Sequence, residues 1–101
     1  MTVEEEIQSY SAAIEELRRK VGILSLRAYV QPGDRGRIEP LFVVDLDTAQ
    51  LTGYADRYFD TMFGLQRIFA RPVDMWEQEI FDREKSRIKV RPVSLELQHA
   101  A

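Results

Sequence analysis

Residues 26–47 read LRAYVQPGDRGRIEPLFVVDLD. An apolar run, a turn built on Pro32, Gly33, Asp34 and Gly36, and a second apolar run follow in that order. This is the pattern of an antiparallel β-hairpin. The first arm reaches back to Ile23 through ILSLRAYV, with a β-branched and aromatic bias. The second arm holds Leu41, Phe42, Val43 and Val44 and runs on toward Leu46.

Before the hairpin, Val3, Ile7, Tyr10, Ile14, Leu17 and Val21 alternate spacings of four and three. That spacing puts them on one stripe of an amphipathic helix. Thr2 with Glu5 reads as a capping box. Glu4 to Glu6 suit the positive end of the helix dipole, Arg18 to Lys20 suit the negative end, and Gly22 is a stop. The stripe is too short for a coiled coil, so it is expected to pack on a sheet.

After the hairpin the period changes. Leu51, Tyr54, Tyr58, Met62, Leu65 and Phe69 recur every three or four residues, predicting a second helix over 48–69 that Gly53 and Gly64 weaken locally. RPVDMW at 71–76 suits a third strand, 77–88 a short charged helix, and 90–97 a terminal strand. Pro92 places that last strand at an edge. Residues 98–101 read as a frayed tail. The expected fold is α+β, with a small mixed β-sheet, helices packed on it and the order α-β-β-α-β-α-β.

With 101 residues the chain is expected to be a single domain with a modest core. Hydrophobic residues at 45% and charged residues at 31% are globular proportions. A net charge of −3 gives no general attraction to nucleic acid or anionic membrane. The absence of cysteine excludes disulfides and thiolate metal sites. No apolar run is long enough to span a bilayer, and the expected location is cytoplasmic.

The second half carries a resemblance. Phe63-Gly64-Leu65, Ala70-Arg71-Pro72-Val73-Asp74-Met75 and Val93-Ser94-Leu95 are similar to the helix end, the "RPVDL" strand and the closing strand of the minimal nucleotidyltransferase (MNT) family. The resemblance implies a nucleotidyltransferase-like fold. In that family Gly-Ser follows the first strand, an Asp-x-Asp pair on the second strand holds Mg²⁺, and a third carboxylate, here Asp74, completes the site. It also implies an antitoxin-like role beside a HEPN-type protein partner, or a homodimer.

The first half admits two layouts on that family. In the first, Ala28-Tyr29 stands for Gly-Ser and Pro40-Leu41-Phe42 for Asp-x-Asp. Neither Pro nor Phe supplies the oxygen donors that Mg²⁺ requires, and Tyr29 crowds a turn that phosphate must approach. In the second, Asp45 and Asp47 form the metal pair, since residues two apart on a strand share a face. Gly33 then takes the glycine position. The first layout keeps the hydrophobic strand in place, so the expectation is a fold that has lost catalysis and works through protein contact. The alternative is an active enzyme in which Asp45, Asp47 and Asp74 bind Mg²⁺ and transfer a nucleoside monophosphate from an NTP. Asp74 otherwise reads as a strand-end or N-cap residue.

Three further constellations complete the reading. Gly33, Arg35, Gly36 and Arg37 form a weak phosphate cradle or a plain hairpin turn, without the Lys-Ser/Thr end of a P-loop. Arg83, Lys85, Arg87, Lys89 and Arg91 fall at every second residue and share one face if extended, which would suit RNA phosphates. His99 lies in the expected tail. Tyr54, Tyr58, Phe59, Phe63 and Phe69 read as core, and Trp76 as core or a partner anchor.

Overall fold

A computed structural model describes residues 2–46 and 53–95. The expected helix start over 48–52, Asp47, the strand's extension to Leu97, His99 and the tail lie outside the described residues. The elements are α1 (Val3–Ser9), α2 (Ser11–Val21), β1 (Ser25–Pro32), β2 (Ile38–Asp45), α3 (Tyr54–Phe69), β3 (Asp74–Glu77), α4 (Gln78–Glu84) and β4 (Arg91–Val93). They form a small α+β structure around one four-stranded mixed sheet of order β3-β2-β1-β4. No helix among the described residues is long and apolar enough to cross a membrane.

The hairpin is the centre of the sheet. β1 and β2 pair antiparallel from Ser25↔Asp45 to Pro32↔Ile38. β3 adds parallel to β2, and β4 adds antiparallel to the other side of β1. Pro92 therefore sits on an edge strand, as its missing N–H demands. β1 alternates, with Leu26, Ala28 and Val30 buried and Arg27, Tyr29 and Gln31 on the opposite face. β2 does not alternate, because Pro40 to Val44 are all buried. Helices cover it on both faces, which is why its sequence is an unbroken apolar run.

The larger layer gathers Ile7, Ile14, Leu26, Phe42, Val44, Leu65 and Phe69 between α1, α2, α3 and the sheet. The Phe69 ring meets Phe42 at 5.4 Å and the edge of Tyr10 at 5.1 Å. The smaller layer lies under α4, where Phe81 covers Leu41 and Val43 beside Tyr29 and Trp76.

The leading helix corrects one expectation. It is two helices, broken at Tyr10 (φ −98°, ψ 10°). The Ser9 hydroxyl donates to the Glu6 carbonyl at 2.7 Å and the Ser11 hydroxyl to the Gln8 carbonyl at 2.8 Å. Such back-bonding competes with the backbone ladder and bends helices. The bend lets Tyr10 reach Phe69 while Ile7 and Ile14 stay buried. The Thr2–Glu5 capping box and the left-handed stop at Gly22 (φ +83°) are both present.

α3 also differs from the expected stripe. Thr61 is fully buried in place of Met62, and its hydroxyl returns to the Arg57 carbonyl at 2.7 Å. Gly64 marks the crossing of α2 and α3: a Cβ there would meet Leu17 Cδ1 at 2.5 Å and Cδ2 at 2.9 Å. The glycine makes room for the Leu17 side chain of α2. α4 is followed by a single 3₁₀ turn, Lys85–Arg87.

Glu15 is buried on α2 and bound by two guanidiniums, Arg18 at 2.6 Å and Arg19 at 3.2 Å. Arg18 also donates to the Ile23 carbonyl at 3.2 Å, tying the helix to the segment that leads into β1. The Arg18 hydrogen bonds, helped by Arg19, hold the Glu15 carboxyl down at about 2 against burial.

Two expectations follow. Gly64→Ala gains up to about 1 kcal/mol of helix propensity. It loses about 1–3 kcal/mol to overpacking against Leu17. Urea unfolding should show Gly64→Ala to be more favourable in a Leu17→Ala background than in the parent, and an equal effect in both would refute the contact. Because the Glu15 carboxyl is lowered on folding, its stabilisation is complete above pH 4.5 and is lost as pH falls toward 2. Thermal melts of Glu15→Gln should therefore lose part of the acid-side slope, and an unchanged slope would show that the pair carries no linkage.

Candidate functional site

The faces of β2 decide what the hairpin can do. Successive residues on a strand project to opposite sides, so Pro40 shares a face with Phe42 and Val44, and Asp45 with Leu41 and Val43. Phe42 and Val44 lie in the larger core, and Leu41 and Val43 lie under α4. Pro40 and Phe42 are fully buried. In the first layout these are the positions of the metal-binding pair; here they pack in the core on the face opposite Asp74, so the three positions of that layout are not brought together. Ala28, in the glycine position, is also buried, and the Tyr29 ring packs on Phe81 at 4.8 Å. The place where phosphate would approach a small residue is filled by two aromatic rings.

Asp74 opens β3 directly beside Leu41, on the α4 face of the sheet. Its carboxylate accepts a hydrogen bond from Gln31 Nε2 at 2.5 Å across the intervening strand. It is a strand-start residue; the N-cap of α4 is Glu77.

Asp45 shares that face but ends β2, four residues beyond Leu41. At about 3.3 Å per strand residue, the backbones of Asp45 and Asp74 stand about 13 Å apart along the sheet. Two-metal sites hold their ions within about 4 Å and need carboxylates that bridge them. Of the alternative trio, Asp45 and Asp74 are thus not brought together, and Asp47 lies outside the described residues. Among the described residues, no three Asp, Glu or His side chains group to hold a metal ion.

The Gly33–Arg37 segment is a closed turn. Its Gly33 N–H bonds the Arg37 carbonyl and its Arg37 N–H bonds the Asp34 carbonyl, so two of the donors a phosphate would need are already used. Arg35 (φ +59°) and Gly36 (φ +74°) take the left-handed positions that reverse the chain. The Glu39 side chain covers Gly33 so closely that any Cβ would collide with it. A carboxylate over the glycine repels a phosphate, and the hairpin-turn account stands.

The basic run does not form an extended stripe. Arg83 is in α4, Lys85 and Arg87 are in the 3₁₀ turn, and Arg91 is in β4. Lys85 faces Asp82 at 4.0 Å, Arg87 faces Glu84 at 3.7 Å and Arg91 pairs with Glu4 at 2.9 Å. The every-second-residue spacing has no common face once the chain turns helical, and neighbouring acids offset three of the five charges.

The far end of β3 holds an interaction without a sequence signal. Burial first, and then Glu77 at the end of β3, push the phenol of Tyr54, at the start of α3, up to about 12.

The aromatic residues of α3 divide. Tyr54, Tyr58 and Phe69 join the core, whereas Phe59 and Phe63 are 49% and 54% exposed. Their rings stack on each other at 6.1 Å and 22°, and Tyr58 meets Phe59 edge-on at 5.5 Å. The signal was in the sequence: Phe59 and Phe63 lie outside the 54, 58, 65, 69 stripe and are themselves one helical turn apart. Trp76 is half-buried under α4, 6.4 Å from Phe81, and so belongs to the smaller core.

Comparison with protein-family models, curated proteins and solved structures finds no match to this chain.

Proposed function

We propose that this is a cytoplasmic protein of nucleotidyltransferase-like shape that has lost transfer chemistry and acts through protein contact. One observation carries the reading. Pro40 and Phe42 are buried core residues without oxygen donors, and Asp45, the remaining candidate on β2, stands about 13 Å along the sheet from Asp74. A fold can keep its packing while its catalytic positions become interior, because packing and chemistry are separate demands on a strand.

The contact role is supported by the exposed Phe59–Phe63 stack. Aromatic pairs on a helix surface are common anchors of protein interfaces. The resemblance implies a HEPN-type partner or a homodimer; the chemistry of the α3 surface favours the second. RNA binding receives less support, since acids pair with Lys85, Arg87 and Arg91.

The test is nucleotide transfer and binding with Mg²⁺ and ATP. A nucleotide present at a hundred times its dissociation constant would stabilise the fold by about 2.7 kcal/mol, a shift of roughly 10–20 °C in a domain of this size. The expected result is no labelled nucleotide transferred and no Mg²⁺-ATP shift. Transfer that disappears in Asp45→Asn, Asp47→Asn or Asp74→Asn would establish the active enzyme instead.

A further inference from the structure

The outer face of α3 is a second stripe, opposite the buried one. Asp56, Phe59, Asp60, Phe63 and Arg67 are spaced at three, four, seven and eleven residues from the first, and all five are exposed. The two rings occupy the middle. Asp56 and Asp60 stand toward the helix start and Arg67 toward its end. Among the described residues, no ion pair or side-chain hydrogen bond engages Asp56, Asp60 or Arg67.

Beside Phe63 the α2–α3 crossing leaves a groove of about 390 Å³, lined by Leu17, Lys20, Val21, Gly64 and Arg67. Gly64, having no side chain, keeps its floor low.

This stripe is polar along its length and complementary to its own reverse. We propose that it is a homodimer interface, with α3 packed antiparallel on α3 of a second copy about a two-fold axis that crosses the outer face between Phe59 and Phe63. The axis sets Phe59 against Phe63 of the second copy and Phe63 against its Phe59. It also brings Asp56 beside Arg67 of the second copy, and the symmetry repeats that pair on the other side. A parallel arrangement would align acid with acid and Arg67 with Arg67, which like-charge repulsion disfavours.

The size of the face sets the affinity. A standard interface covers about 800 Å² per partner. One helix face and a shallow groove lie at the lower end of that class. The dimer is therefore concentration-dependent, with a dissociation constant on the order of 1–100 µM.

This inference deepens the contact role proposed above and rests on it for its biological meaning, but its evidence and readout are separate. Sedimentation velocity of the full chain across that concentration range should show a monomer–dimer equilibrium. Phe59→Ser/Phe63→Ser should shift it to monomer with an unchanged far-UV spectrum, since both rings are exposed. Arg67→Asp should weaken the dimer at least tenfold, and the double change Asp56→Arg/Arg67→Asp should restore it. That rescue is specific to an isologous pair, because an unrelated partner would not exchange its charges in step.

A monomer throughout, or a dimer untouched by the Phe changes, overturns the interface. A monomer that transfers no nucleotide would remove the dimer and leave the lost chemistry standing; a dimer that transfers nucleotide would do the reverse.

Discussion

Everything in this molecule depends on β2 being buried from both sides. Five consecutive residues, Pro40 to Val44, send side chains alternately into the layer under α1, α2 and α3 and the layer under α4. Burying a side chain of this type contributes about 1.5–3 kcal/mol. The strand is therefore the shared wall of two cores. β1 and β3 take their register from it, and the helices take their positions from the faces it presents.

The sequence made some of this legible and hid the rest for physical reasons. The hairpin was visible because its turn residues interrupt two apolar runs, and the capping box and Gly22 stop are local motifs with local causes. Pro92 announced an edge because an edge is where a missing N–H does no harm. The break at Tyr10 was hidden, since the apolar spacing runs smoothly through it and the cause lies in the Ser9 and Ser11 hydroxyls. Gly64 was read as a helix weakener because propensity is a property of one helix, whereas its role involves two.

The candidate site was harder to read than the fold. Two carboxylates at spacing two look like a pair in sequence, but only pairing register says where a strand's residues stand against the next strand. Leu41↔Asp74 fixes that register and leaves Asp45 at the wrong end. In the same way, an alternating basic run is a stripe only while the chain stays extended, and residues 83–87 are helical. On α3 the two stripes face opposite ways, and Phe59 and Phe63, off the 54, 58, 65, 69 spacing that marks the core, belong to the outer one. Their exposure redirects attention from the hairpin to the helix surface.

The double burial of β2 also limits which substitutions the strand accepts. A carboxylate placed at 40 or 42 would enter an apolar, helix-packed interior. An uncompensated buried charge costs about 3–5 kcal/mol, and two would consume most of the 5–15 kcal/mol that holds a domain folded. Stability alone therefore disfavours an acidic residue at either position, whatever else the protein does.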